Sequence, residues 1–217
     1  MPITVHAVNR AAIDATLLQR WARVPAAIIA DVSKGAALVD PAIRPLRPAG
    51  QQPRLMGRAV TAICVPPDFG AVLAALDGVE PGDVLVIDAQ GFRTHAMIGE
   101  ILGGFLRRRQ VAGIVCDGAV RDVAELAGWS DFSVFSRFIS PAGPTGWSQG
   151  QVNGMAMIGG RAIAPGDLVI GDDDGLVALD EDMLRVLIDH AEAKLALEAK
   201  WQAELASGQS IARIFGL

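Results

Sequence analysis

Cysteine is scarce in this chain. Cys64 and Cys116 are the two in 217 residues, and no CxxC pair occurs. Two cysteines cannot frame a chain of this length with disulfides. Both sit in apolar runs, Ala62-Ile63-Cys64-Val65 and Ile114-Val115-Cys116, where cysteine serves as a small core residue. Histidine is as scarce, with three residues and no metal-binding spacing. Excess basic charge is missing. The net charge is -5 and the sequence pI is about 5.2, so no nucleic-acid partner is expected. The one basic cluster, Arg107-Arg108-Arg109, ends an amphipathic helix. Arginines there answer the helix dipole and keep that face wet. No run approaches the roughly 18 apolar residues of a membrane span. No charged segment followed by an apolar stretch opens the chain. A cytoplasmic protein with no membrane partner is the expectation. No strand leads into a glycine-rich loop of the kind that cradles a nucleotide-like cofactor, which argues against a methyltransferase.

What is present favours a packed core. Hydrophobic residues make up 51% and charged residues 20%, and a single core can grow to roughly 250 residues. One domain over 1–217 is therefore expected. Helices are read at 12–22, from Pro25 to Asp31, over 72–76, from Ala96 to Arg109, over 122–127, and from Glu181 to Ala206. Strands are read at 57–65, 84–88, 113–117, 134–135, 156–158, 168–171 and 176–179. The proline-dense stretch from Asp40 to Pro48 is read as a surface loop. Alternating strands and helices indicate an α/β protein.

Two segments echo each other. Pro81-Gly82-Asp83 and Pro165-Gly166-Asp167 each precede an apolar strand. Both read as tight turns, proline presetting φ and glycine supplying the conformation other residues avoid. For Asp167 a plain turn is favoured, whereas Asp172 is left open between hairpin and cleft.

The informative segment runs from His95 to Asp122. Gly99-Glu100 opens a helix whose apolar face is Leu102, Phe105 and Leu106. The amides of Ile101 and Leu102 point out of its first turn, and such a turn can hold an anion. The strand Ile114 to Cys116 is continuously apolar, hence central. Asp117-Gly118 and then Arg121-Asp122 follow it. Open α/β sheets place ligands at the carboxyl ends of their strands. A helix start, an arginine and two carboxylates thus converge on one rim. Arginine is matched to a carboxylate, and Asp and Glu suit Mg²⁺ or Mn²⁺. The plainer alternative is a salt-bridged Arg121-Asp122 pair, with Asp122 also capping a helix.

Glu100 is followed after 20 residues by Arg121-Asp122. This resembles the acidic-X20-Arg-Asp signature of the RraA-like family of class II pyruvate aldolases. That family includes 4-hydroxy-4-methyl-2-oxoglutarate aldolase and 4-carboxy-4-hydroxy-2-oxoadipate aldolase. Gly99-Glu100-Ile101-Leu102, Val111-Ala112-Gly113-Ile114-Val115 and Asp117-Gly118-Ala119-Val120-Arg121-Asp122 carry the resemblance. Asp40-Pro41-Ala42-Ile43-Arg44-Pro45 and Asp172-Asp173-Asp174-Gly175 extend it, so it covers about 25–208. Glu100 stands where the family often has Asp.

The resemblance implies a three-layer fold of the swivelling β/β/α type. It implies metal-dependent cleavage of a 4-hydroxy-2-keto acid to pyruvate and a second keto acid, with oxaloacetate decarboxylation through the same enolate. Asp122 would bind the metal and Glu100 would hold metal-bound water. Arg121 would contact the keto acid, and the amides beside Gly99, those of Ile101 and Leu102, would receive its carboxylate. It also implies homotrimers or homohexamers with active sites between subunits. Some relatives instead regulate ribonuclease E by docking to it.

On the C-terminal helix, Leu184, Ile188, Ala191, Leu195, Gln202 and Leu205 form a stripe at 3.6-residue spacing, and Glu198 falls inside it. A carboxylate on an apolar face needs a partner. The family lends a C-terminal glutamate to a neighbour's active site, and Glu198 is the candidate. The alternative is a frayed helix with Glu198 in water. His95 could face the cleft but reads more readily as structural. Asp88 and Asp117 end central strands and can satisfy turn amides.

Overall fold

The computed structural model describes residues 2–8 and 13–216. Four parallel strands form the centre of a nine-stranded sheet: β3 (Leu55–Ile63), β4 (Asp83–Ile98), β5 (Gly113–Val120) and β6 (Ser133–Ile139). Parallel neighbours need crossover connections. Here α3 (Gly70–Ala75), α4 (Glu100–Arg108) and α5 (Val123–Gly128) supply them. All three pack on one face, over Leu85, Ile87, Ile114, Cys116 and Val120. The strands alternate, so Val84, Val86 and Val115 point to the opposite face. There they meet a small antiparallel sheet of β8 (Ala156–Ile158) and β9 (Arg161–Ile163). The three layers are thus β, β and α.

The edges are irregular. The strands β1 (Thr4–Val5) and β7 (Gln151–Val152) extend the sheet beyond the carboxyl end of β3. The hairpin of β10 (Leu168–Asp172) and β11 (Gly175–Leu179) pairs with its other half. Three helices, α1 (Ala15–Trp21), α2 (Ala26–Val32) and α6 (Glu181–Ala206), cover that hairpin around the buried Trp21, Ile29 and Leu184. A final helix, α7 (Ile211–Phe215), folds back on α6, with the Phe215 and Trp201 rings 4.8 Å apart.

Several expectations need correction. The helix read from Ala96 to Arg109 begins at Glu100, because β4 runs on to Ile98. Between Asp88 and Ile98 the strand is irregular, its register shifting repeatedly while it stays paired with β5. Residue 12 of the helix read at 12–22 lies outside the described residues, and the helix observed there is Ala15–Trp21. The proline-dense loop contains β2 (Arg44–Pro45), which pairs with β6 at the sheet edge, where proline is tolerated. The C-terminal helix spans Glu181–Ala206 as read, capped at its start by Asp180 and ended at Ser207.

The two echoing turns share one construction. Asp83 accepts from the Glu80 amide at 2.8 Å, and Asp167 accepts from the Ala164 amide at 2.9 Å. Gly82 and Gly166 both take positive φ, 82° and 94°. Asp172 is structural: it accepts from Ala26 at the start of α2 and from Asp174 in the β10–β11 turn. Among the described residues no helix is long and apolar enough to cross a membrane.

Candidate active site

The cleft forms where β4 and β5 end and α4 begins. Gly99 is extended, with φ -152° and ψ -161°, and ends the strand before the helix turns. Its value lies in what it lacks. A Cβ there would stand 2.3 Å from Asp122 Oδ2 and 2.8 Å from Arg121 Cγ. Only glycine lets these two side chains lie against the helix start.

Asp122 adopts the left-handed conformation, φ 55° and ψ 40°, which Asp tolerates better than most residues. It precedes α5 but does not cap it with its side chain. Its Oδ2 instead accepts from the Glu100 amide at 3.0 Å, so it caps α4 across the cleft. Arg121 Nε lies 3.6 Å from the same oxygen. The capping alternative raised from the sequence is therefore real, but on the other helix. The first-turn amides of Ile101 and Leu102 have no acceptor within a helix.

The Arg121 backbone is fixed by its own amide, which donates to Ile98 at 3.1 Å. Its guanidinium rests on the loop after β6. A Cβ at Gly143 would meet Arg121 Nη1 at 2.5 Å. That loop is bolted to β4: Ala96 donates to Ala142 at 2.8 Å and the Ser140 hydroxyl donates to the Thr94 carbonyl at 2.7 Å. Two glycines, Gly99 and Gly143, thus flank one guanidinium. Gly143 gives no local sequence signal beyond standing between Pro141 and Pro144.

Gly99, Ile101, Leu102, Arg121 and Asp122 all line one cleft of about 220 Å³. Its far wall is apolar, made by Phe69, Leu73, Met97 and Pro144, which the sequence did not single out. The Glu100 side chain turns away into an adjoining groove with Arg107, Arg108 and Trp129. There Arg107 pairs with Asp131 at 2.7 Å and covers the Trp129 ring. Glu198 is not in the cleft of its own chain. It lies in a separate groove beside Pro25 and Asp31, with Lys194 3.5 Å away. His95 stacks on Phe92 and meets the Thr94 hydroxyl at 3.1 Å, outside the cleft.

Other candidates resolve as structure. Asp88 accepts from Gln90 and Met157, and Asp117 accepts from Gly159 and from Arg137. Together they clip the β8–β9 sheet to the central strands. Burial pushes the Asp88 carboxyl above its ordinary value, with the neighbouring Asp117 charge adding to it. Burial also pushes the Cys64 thiol up to about 12, which makes it unreactive. Among the described residues no three His, Cys, Asp or Glu side chains assemble into a metal cage.

The Aldolase/RraA model of the RraA-like family matches residues 25–178. A Halalkalibacterium halodurans protein, provisionally named a 4-hydroxy-4-methyl-2-oxoglutarate aldolase, is 31% identical over 188 residues, 87% of each chain. A structure of an uncharacterised Pseudomonas syringae pv. tomato protein superposes with TM-score 0.81 at 23% identity, covering 94% of this chain and 98% of that one. Streptomyces coelicolor RraAS2, described as an unusual member of the RNase ES inhibitor RraA family, superposes with TM-score 0.78 at 24% identity, covering 89% and 100%. The matched segment contains the whole of the cleft, and the chain belongs to the RraA-like family.

Proposed function

We propose that this chain is a divalent-metal-dependent carbon–carbon lyase that cleaves a 4-hydroxy-2-keto acid, of the 4-hydroxy-4-methyl-2-oxoglutarate or 4-carboxy-4-hydroxy-2-oxoadipate type, to pyruvate and a second keto acid. One observation carries the reading: Arg121, Asp122 and the free amides of Ile101 and Leu102 meet in one cleft, held there by Gly99. The name of the 31% identical relative supports the same reaction class.

The donor set fits a hard ion that keeps most of its water. Mg²⁺ is commonly held by one or two carboxylates plus substrate oxygens, and Asp122 offers one carboxylate at the cleft with Glu100 at its edge. Mg²⁺ or Mn²⁺ held there would polarise the 2-keto oxygen and stabilise enolate charge. Arg121 pairs with the keto acid, its donors aimed by the two glycines. The Ile101 and Leu102 amides receive the carboxylate at the positive end of α4. Glu100, whose amide donates to Asp122 but whose side chain lies in the adjoining groove, would order metal-bound water only after its carboxylate swings to the cleft edge by a change of rotamer.

In the cleavage the C4 hydroxyl loses its proton to solvent and the C3–C4 bond breaks. The electron pair passes into the pyruvyl enolate, and C3 then takes up a proton. Oxaloacetate decarboxylation uses the same sink, with CO₂ leaving C3. We extend the proposal to a homotrimer or homohexamer in which Glu198 serves a neighbour's cleft.

The test is pyruvate release from 4-hydroxy-4-methyl-2-oxoglutarate, 4-carboxy-4-hydroxy-2-oxoadipate and oxaloacetate, with Mg²⁺ and with EDTA. Release that EDTA abolishes and Mg²⁺ restores is expected. Release unaffected by EDTA removes the metal from the mechanism. The likeness to Streptomyces coelicolor RraAS2, a protein of the RNase ES inhibitor family, favours a second reading: a non-catalytic regulator of a ribonuclease of the E type. Tight binding of such a ribonuclease, with no pyruvate from any substrate, would replace the lyase by that role.

A further inference from the structure

The loop after β6, residues 140–150, carries Gly143, against which the Arg121 guanidinium rests. The loop buries little of its own. Pro141, Ala142, Thr145, Trp147 and Ser148 are exposed, Trp147 by 72%. Apolar burial therefore does little to fix its position. Its near end is tied to β4 through Ser140 and Ala142. Beyond Pro144 it is held by one carboxylate from the turn between β3 and α3.

That carboxylate is Asp68, 5% exposed. Its Oδ2 accepts from the Ser148 amide at 2.9 Å and its Oδ1 from the Gln149 amide at 3.1 Å, 80 and 81 residues along the chain. Oδ1 also accepts from the Gly70 amide at 2.7 Å, at the start of α3. The backbone repeats the link: Thr145 donates to Pro67 at 3.0 Å and Phe69 donates to Gly146 at 2.9 Å. The two segments meet closely. A Cβ at Gly146 would stand 2.5 Å from Asp68 Oδ2, and one at Gly70 would stand 2.7 Å from the Trp147 carbonyl carbon. Burial works against charge on Asp68, yet the Ser148, Gly70 and Gln149 amides hold its carboxyl below the ordinary 3.8. It therefore meets them as an acceptor on both oxygens. All these contacts are internal to one chain and do not depend on what a neighbouring subunit brings to the cleft.

Resting on the lyase reading, we propose that Asp68 is a positioning residue for the reaction: by pinning residues 145–149 it sets Gly143, and through Gly143 the Arg121 guanidinium. Asp68 touches no reacting atom. Its effect reaches the keto acid through Arg121, whereas Asp122 is held separately, by the Glu100 amide. Loss of Asp68 thus weakens keto-acid recognition and turnover and leaves metal affinity alone.

The experiment compares the full-length wild type with Asp68→Asn and Gly146→Ala. Asn keeps the shape of Asp68 but turns one oxygen into a donor that faces an amide. Ala at 146 pushes on the same carboxylate from the loop side, at a position without positive φ. Each variant should lose about tenfold to 10²-fold in kcat/KM for Mg²⁺-dependent pyruvate release, the scale of a misplacement near 1 Å. The substrate is the fastest of the three named above. Pyruvate affinity of the Mg²⁺-loaded chain should fall in step, and the 145–149 amides should exchange hydrogen faster. Mn²⁺ affinity, measured by calorimetry with the metal alone, should be unchanged. In an Arg121→Ala background neither substitution should cost anything further, because residues acting through one group do not add. Wild-type kcat/KM in Asp68→Asn overturns the inference. So does an equal loss with and without Arg121, or a loss of Mn²⁺ affinity as large as that for pyruvate. If Asp68→Asn fails to fold, Gly146→Ala decides by the same readings, and if wild type binds pyruvate but releases none, the pyruvate affinities decide. A failure confined to the variants leaves the lyase standing. A wild type that neither releases nor binds pyruvate overturns both proposals.

Discussion

Asp122 carries two jobs that substitution can separate. It occupies φ 55° and accepts from the Glu100 amide. Ala would forfeit both the left-handed preference and the cap, about 2–3 kcal/mol together, and so would blur any loss of activity with loss of fold. Asn tolerates the same φ and keeps a carbonyl oxygen for the cap, but it removes the charge. Asp122→Asn should therefore unfold within about 0.5 kcal/mol of wild type. Its metal-dependent turnover should fall on the order of 10³-fold, the equivalent of several kcal/mol of lost charge stabilisation. Urea titration beside a pyruvate assay reads both. Unchanged turnover would show Asp122 to be a cap and nothing more.

Gly143 offers the complementary case. An added Cβ at 2.5 Å from Arg121 Nη1 meets the end of a flexible side chain, which can move aside while the backbone stays. Gly143→Ala should keep its melting temperature yet lose about 10²-fold in kcat/KM, because a misplacement near 1 Å has that effect. The loss should vanish when the substitution is made in an Arg121→Ala background. Equal losses in both backgrounds would mean that Gly143 does not act through Arg121.

Among the elements, β4 shows where sequence patterning stops. Its first half, Val84 to Asp88, is legible as a buried strand. Its second half contains Ala96-Met97-Ile98, which continues smoothly into the α4 pattern and reads as helix. The structure makes it strand because Ala96 and Ile98 pair with β5 and the Ala96 amide reaches Ala142. Those partners, Ala119, Val120 and Ala142, are remote in sequence, and local periodicity carries no trace of them. The same holds for the far wall of the cleft, assembled from Phe69 and Leu73 at α3, Met97 on β4 and Pro144 in the loop after β6. By contrast, Arg121, Asp122 and the α4 start were legible, since they flank one short apolar strand and are joined by one crossover.

The clip that binds the β8–β9 sheet has a pH signature. Burial raises the Asp88 carboxyl above its ordinary 3.8. The folded state then holds more protons than the unfolded one between 3.8 and the raised value, so stability falls as pH rises through that window. Below that ordinary value both states are protonated and the effect is flat. Asp88→Asn has no such titration. The stability of wild type minus that of Asp88→Asn should therefore decline as pH rises above the ordinary 3.8. A difference that stays constant across that range would show that Asp88 is not strained by burial.

On the scale of the whole molecule, α6 outlasts its own core. Leu184, Ile188 and Ala191 are buried, yet beyond them the stripe reaches only half-buried Leu195 and Glu198 and exposed Leu205. α7 adds exposed Ile211 and Phe215 at that end. Glu198 therefore stands on a stretch of helix with apolar neighbours and little of its own chain to cover them. If it completes a neighbour's cleft, the functional unit is a pair of chains, and inactive chains should complement each other. Asp122→Asn and Glu198→Gln would each be nearly inactive alone. Assembled at random in equal amounts, they would place intact Asp122 and intact Glu198 at the same site in about a quarter of sites, because the two residues come from different subunits of a symmetric ring. Co-refolded mixtures should recover up to that fraction of wild-type activity, with the oligomer unchanged in light scattering. Full activity of Glu198→Gln alone would leave the glutamate out of the mechanism. Two inactive parents whose mixture stays inactive would place both residues in one subunit's site, against the separation seen within the chain.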